Sequence, residues 1–344
     1  MRRTINYNNQ VIGILIPTYN RVAFLRYAIE SALNQTENAF YLMVIDDSST
    51  DHTKDYIASI HDNRVIYVTN EQNMGLARSI NKGIDLFPSE VEWCTILCDD
   101  DRFCPDFIEI MMNTIKNRNA KSIIHSRRIF ITPDGKIIRE ALDSPNEESA
   151  LEYIKNRSRN LRETYLTGIL FNRKKFKEIG SYPIFSTGVG ADDAFIFALS
   201  MKDRLIYQKS TQAFITIHPG AESQEYKNFP LLYKSVNELR NYCIQCYYEE
   251  NTLNKISRKD FHKLISKYRN RILSNICLGK LWSANHSGQD IKELLDTVSI
   301  NPGEFPLRIR IDVLLMKKYG VYAERFLPYR GFWVLVEFFQ KWKP

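Results

Sequence analysis

The chain is predicted to be an α/β protein with one central sheet, helices on both of its faces, and a helical region following it. Three observations carry this expectation. Short apolar runs alternate with helix-period segments through the first hundred residues. The first, second and fourth of these runs end on polar or acidic clusters, and after about residue 225 the strand signal gives way to helical, basic and aromatic sequence. A length of 344 residues suits one large α/β domain and a smaller appendage.

The run Val11 to Ile16 reads as a strand, and Val22, Leu25, Ala28, Ile29, Ala32 and Leu33 form one stripe of the helix after it. A strand at Tyr41 to Ile45, a helix around Tyr56 to Ile60, a strand at Val65 to Val68, a helix over Leu76 to Leu86 and a strand at Trp93 to Leu97 continue the alternation. Repeated β-α units build parallel strands through right-handed crossovers. Beyond residue 105 a helix is expected from Pro105, then a hairpin about Thr132-Pro133-Asp134-Gly135 joining Ile129 to Ile131 with Ile137 to Ile138. Further strands are expected at Tyr165 to Phe171, Leu205 to Tyr207 and Phe214 to Ile217, with a helix at Ala194 to Leu199. This divides the chain into a domain over 1–224, with halves of about 10–104 and 105–224, and a helical C-terminal region over 225–344.

Composition narrows the function. The surplus of seven positive charges is mild, and the first two thirds carry neither a concentrated basic stripe nor a nucleic-acid-binding motif. No apolar run reaches the roughly 20 residues that cross a bilayer, and the N-terminus leads directly into a strand, so a cytoplasmic protein is expected. The six cysteines lack the spacing of a zinc ribbon or disulfide framework; Cys243 and Cys246 have no second ligand pair, and reduced thiols are expected.

Ligands in open α/β sheets bind beyond the carboxyl ends of the strands. There the sequence sets Pro17-Thr18-Tyr19-Asn20-Arg21, Asp46-Asp47-Ser48-Ser49-Thr50-Asp51 and Asp99-Asp100-Asp101. Three adjacent carboxylates stay ionised only when cations or many donors compensate them. Helix capping would account for one of them; a hard divalent cation such as Mg²⁺ or Mn²⁺, shared with a diphosphate, would account for all three. Asp47 either caps the next helix or accepts an imide proton from a nucleotide base stacked on Tyr19. Asn73, Gly75 and Arg78 open a helix in a setting suited to phosphate or ribose oxygens, although Asn and Gly before a helix are also ordinary capping residues. Asp192 and Asp193 stand where acids favour a helix N-terminus, and Asp193 is the candidate general base for a hydroxyl nucleophile. His218, at the end of another strand-like run, is either a metal or diphosphate ligand or a satisfied structural histidine.

Over residues 10–225 these motifs, in this order, resemble the family 2 glycosyltransferases of the GT-A fold, a Rossmann-like mixed sheet flanked by helices. The resemblance rests on Ile16 to Arg21, Ala32-Leu33-Asn34-Gln35-Thr36, Asp46 to Asp51, Asn73 to Gly83, and Asp99-Asp100-Asp101 followed by Pro105. It implies base binding by Tyr19 and Asp47, donor contacts from Pro17, Asn20, Arg21, Asn73, Gly75, Arg78 and Asp99, and a metal held by Asp100, Asp101 and His218. Cys98 stands where the family's acidic motif has its first Asp, and Asp192 is shortened from the usual Glu. The implied activity is inverting transfer from a nucleotide sugar, with UDP favoured, to a hydroxyl of a glycan or lipid-linked glycan in surface polysaccharide synthesis, with Asp193 as base. The competing class is an inactive sugar-nucleotide-binding or scaffolding protein, which would keep Tyr19 and Asp47 but need no base.

Tyr319 to Lys343 interleaves Arg325, Arg330, Lys341 and Lys343 with Phe326, Phe332, Trp333, Leu335, Phe338, Phe339 and Trp342, six of these seven being aromatic. A helix of this kind suits the inner face of the cell membrane, as a peripheral attachment, or packing on the catalytic domain or on a second copy in a homo-oligomer.

Overall fold

The computed structural model of the chain describes residues 11–218, 228–249 and 256–283, together with Val298 and Phe305. All eight residues of strand β1 (Val11–Thr18) are buried, as a continuous apolar run flanked by parallel neighbours requires. β1 pairs in parallel with β2 (Phe40–Asp46) on one side and β4 (Val91–Ile96) on the other, and β2 pairs in parallel with β3 (Val65–Thr69). The intervening helices are α1 (Val22–Leu33), α2 (Thr53–Ala58) and α3 (Leu76–Leu86). The two faces of β1 feed different cores. Ile12, Ile14 and Ile16 pack with Leu25, Ala28 and Ile29 of α1, while Val11 and Leu15 pack with Ile80 and Ile84 of α3. The period of two in the strand thus puts α1 and α3 on opposite faces.

The second half turns the sheet mixed. Its elements are β5 (Arg102–Phe103), α4 (Phe107–Arg118), β6 (Ile123–Ile131), β7 (Ile137–Glu140), β8 (Glu147–Glu148), α5 (Ala150–Ser158), β9 (Ile169–Asn172), α6 (Arg173–Glu178), α7 (Ala191–Lys202) and β10 (Leu205–Thr216). The sheet runs β3-β2-β1-β4-β9-β6-β10-β5, with β7 on β6 and β8 on β10. β9 is antiparallel to both β4 and β6, so it joins the parallel first half to the parallel pair β6 and β10.

Several expected elements differ in extent. The two runs at Leu205 and Phe214 are one strand, β10, whose register against β6 shifts between Gln208 and Gln212. The strand expected from Tyr165 starts at Ile169, because Gly168 at φ +89° breaks extended backbone there. The helix expected from Pro105 starts at Phe107.

After residue 224, α8 (Phe229–Glu249) and α9 (Arg258–Ser283) pack on each other, and their apolar stripes do not stand apart from the sheet domain. Leu239, Cys243 and Tyr247 of α8 and Phe261, Ile265 and Tyr268 of α9 share one core with Tyr153 of α5 and Phe195 and Phe197 of α7. No helix among the described residues is long and apolar enough to cross a membrane. The basic and aromatic segment Tyr319 to Lys343 lies outside the described residues.

Candidate active site

The carboxyl ends of β1, β2 and β4 converge on a cleft of about 280 Å³. Pro17, Tyr19, Arg21, Asp47, Asn73, Gly75 and Asp99 line it, and Thr18, Leu76 and Ser79 complete it. Tyr19 is 45% exposed, an unusual setting for an aromatic ring beside a buried sheet, and its face is free to stack on a flat ligand. Asp47 is buried and both its oxygens are engaged: Asn70 Nδ2 donates at 2.7 Å, and the backbone N–H groups of Met74 and Gly75 donate at 2.9 and 2.8 Å. It therefore organises the turn that opens α3, where Gly75 takes φ +84°. A carboxylate has about four lone-pair sites, so Asp47 retains capacity for an imide proton as well.

Asn20 and Arg78 do not line the cleft. Asn20, at φ +53°, ties the first loop to the second: its Oδ1 accepts from Thr50 N at 2.7 Å, and its N–H donates to Ser49 Oγ at 2.9 Å. Arg78 donates to Met74 O at 3.4 Å within its own helix end.

The three aspartates after β4 have different surroundings. Asp99 accepts from Thr18 Oγ1 at 2.8 Å, and burial plus the charge of Asp100, offset by Arg21 and Thr18, push its carboxyl up to about 7. Asp101 accepts from Thr216 N at 2.9 Å, and burial with the Asp100 charge holds its carboxyl well above the usual range. Asp100 faces Arg21 Nη1 at 3.3 Å and His218 Nε2 at 3.1 Å. His218 is stacked on Phe24 of α1, which fixes its ring. The structure thus brings His218 to the acidic cluster although 118 residues separate it from Asp100.

Two observations test whether a divalent cation suits these residues. The carboxylates are undercompensated, as the raised Asp99 and Asp101 show, and the buried Thr216 Oγ1 beside them has no hydrogen-bond partner. The ligand atoms of Cys98, Asp100 and Asp101 lie within 4.8 Å of one another. Burial and the charges of Asp101 and Asp100 keep the Cys98 thiol protonated, so Asp100 and Asp101 with the imidazole of His218 would supply the ligands, a donor set that suits Mn²⁺ or Mg²⁺.

The pair at the start of α7 divides its work. Asp193 points away from the cleft and into the core. It accepts from Tyr153 Oη at 2.7 Å and Thr164 Oγ1 at 2.9 Å, and pairs with Arg157 through Nε at 2.7 Å and Nη2 at 3.1 Å. Burial alone would raise its pKa, but Arg157 and these donors hold it below the ordinary range. The expectation of Asp193 as base is therefore corrected: a sequestered, ion-paired carboxylate is a weak proton acceptor. Asp192, about 100° around the helix, faces the other way. Its charge is among those that raise the Cys98 thiol, and its Oδ1 accepts from Tyr182 Oη at 2.5 Å. Tyr182 is in turn clipped by Asn81 of α3, whose Oδ1 accepts from Tyr182 N at 2.8 Å and whose Nδ2 donates to Tyr182 O at 3.0 Å. Sequence reading missed Tyr182 because nothing in its local pattern points to a residue ten positions on.

The chain is similar to known glycosyltransferases. Residues 13–180 match the model of glycosyl transferase family 2. An uncharacterized glycosyltransferase of Rickettsia typhi is 31% identical over 150 residues, 40% of this chain and 46% of that protein. The putative colanic acid biosynthesis glycosyl transferase WcaA of Escherichia coli is 31% identical over 107 residues, 30% of this chain and 38% of that protein. The chain thus spans less than half the length of these curated relatives. Among solved structures, S. aureus TarS residues 1–349 in complex with UDP-GlcNAc superposes with a TM-score of 0.62 at 14% identity, covering 90% of this chain and 88% of that one. The β-α alternation, the mixed sheet and the strand-end aspartates find one explanation in these likenesses: through residues 13–180 the chain belongs to glycosyl transferase family 2, on a GT-A fold.

Proposed function

We propose that the chain is an inverting, metal-dependent glycosyltransferase that moves a sugar from a nucleoside diphosphate sugar, UDP-linked by preference, to a hydroxyl of a glycan or lipid-linked glycan in surface polysaccharide assembly. The observation that carries this reading is the continuity of the Tyr19 and Asp47 cleft with the carboxylates of Asp99 and Asp100. A flat base, a ribose and a diphosphate need such a sequence of surfaces. The UDP and UDP-GlcNAc bound by the structurally similar TarS, and the polysaccharide role in the name of WcaA, support the donor and pathway classes.

In this reading Tyr19 stacks on the base, Asp47 accepts its imide proton, and Arg21, released from Asp99 and Asp100, meets the diphosphate. Asp100, Asp101 and His218 would hold a divalent cation, which when bound neutralises charge developing on the leaving diphosphate. Asp192 takes the proton of the acceptor hydroxyl as that oxygen attacks the anomeric carbon from the face opposite the departing nucleotide. The membrane face and a homo-oligomer remain proposals for the C-terminal segment.

The test is UDP binding by the full chain with and without Mn²⁺, followed by donor consumption across a panel of nucleotide sugars. Tighter UDP binding with Mn²⁺, lost in Asp100→Asn, is expected. Absence of nucleotide binding by the wild-type chain would overturn the reading.

A further inference from the structure

A second cavity, of about 440 Å³, opens in the other half of the sheet where β10 shifts register against β6. Ser126, Arg127, Arg128, Asp143, Tyr207 and Lys209 are among the residues that line it. Most of its charges have partners. Arg127 pairs with Glu140 at 2.6 Å, and Asp143 lies near the Tyr207 hydroxyl and Lys209. Arg128 is different. It is 6% exposed, and no carboxylate among the described residues stands within ion-pair distance of it. The neighbouring buried arginine, Arg162, has Glu148 at 2.6 Å.

The hydrogen bonds of Arg128 sharpen the point. Its Nε donates to Thr167 O at 3.2 Å and its Nη2 to Tyr165 O at 3.4 Å, while Nη1 meets only His125 Nδ1 at 3.3 Å. Burial and the two arginines hold His125 neutral, so its ring carries one donor and one acceptor. Nε2 is approached by Arg162 Nη2 at 2.9 Å and must accept; Nδ1 must then carry the proton, which it donates to Ser126 O at 3.2 Å. Nη1 of Arg128 therefore faces another donor. A buried guanidinium with one nitrogen unsatisfied and no counter-charge is costly to keep, and burial with the charge of Arg162 pushes its pKa down to about 10.

We infer that this cavity is an anion-recognising subsite in which Arg128 Nη1, assisted by Lys209, binds the phosphate or carboxylate of a sugar derivative whose hydroxyls meet Ser126 and Tyr207. It is separate from the donor cleft, although Thr167 links the two: its carbonyl accepts from Arg128, and its hydroxyl accepts from Cys98 N at 3.1 Å. The inference does not need the proposed transferase activity.

The test is calorimetric titration of the full chain, with the donor cleft filled by saturating UDP and Mn²⁺, using inorganic phosphate, glucose 1-phosphate and glucose. Phosphate and glucose 1-phosphate are expected to bind and glucose not to bind. Tighter binding of glucose 1-phosphate than of phosphate assigns the ligand to a sugar derivative; equal binding assigns the subsite to the free anion. Arg128→Gln is expected to weaken both anions at least tenfold with UDP affinity unchanged. Because Arg128 is buried, Lys209→Ala on the exposed rim serves as the second variant, with a loss of about threefold. Failure of both anions to bind wild type, or wild-type affinity in both variants, would overturn the inference.

Discussion

At the scale of single residues, the neighbours Asp192 and Asp193 set the sharpest contrast in the molecule. Asp192→Asn is expected to leave UDP affinity within twofold and to lower turnover by about 10²-fold or more, the usual contribution of a positioned base. Asp193→Asn should act on stability instead. It leaves Arg157 charged and buried without its partner, a change that costs about 3–5 kcal/mol, so thermal unfolding should move down by many degrees. Equal loss of turnover in two fully folded variants would undo this division. The sequence could not separate the pair, since both stand in the first turn of a helix where acids are ordinary. Only the placement of Arg157, Tyr153 and Tyr268, on two other helices, assigns Asp193 to the core.

The acidic cluster makes a prediction about pH. The Asp99 carboxyl, raised to about 7 chiefly by burial and by Asp100, binds its proton more tightly in the folded than in the unfolded chain, where a carboxyl titrates near 3.8. Asp101 is shifted in the same direction. Between these values the native state holds more protons, so the contribution to stability is full below about pH 4 and is lost as pH rises through 7. Divalent cations compete with those protons. The rise in melting temperature on adding Mn²⁺ should therefore be larger at pH 8 than at pH 5.5; a rise independent of pH would separate the metal from the carboxylates.

At the scale of elements, the donor cleft depends on how closely α3 lies on the sheet. Gly83 makes that approach possible: a Cβ there would lie 2.4 Å from Leu15 Cδ1 and 2.8 Å from Ile45 Cγ1. Gly83→Ala must push α3 away from β1 and β2, at a cost of about 1–3 kcal/mol. Because the turn at Met74 and Gly75 that Asp47 grips begins the same helix, UDP affinity should fall with stability. Unchanged affinity by titration would mean that the turn moves independently of the helix. Elements of this first half were legible because each strand is an apolar run and each helix has a clear stripe. β10 was not, since Gln208 to Gln212 lacks any alternation and its continuity comes from pairing with β6. The cavity beside that shift was illegible for the same reason.

At the scale of the whole molecule, the helices after residue 224 could be read as helices but not placed, because an apolar stripe does not name the surface it covers. The structure gives them a catalytic-domain address. Phe261 stacks on Tyr247 at 3.8 Å between ring centres and lies 6.0 Å from Phe197 of α7, and Arg157 reaches from Asp193 to Tyr268 Oη at 3.3 Å. Removing α8 and α9 would expose Phe195, Phe197 and Tyr153 and strip Tyr268 from the network around Asp193. A chain ending at residue 224 is therefore expected to lose cooperative thermal unfolding and UDP binding together, whereas the full chain should unfold with α7 and α9 in one transition. Hydrogen exchange gives the decisive comparison: if α9 exchanges in the full chain far sooner than α7, the two helices are not one cooperative unit, and the start of α7 is then positioned independently of α9.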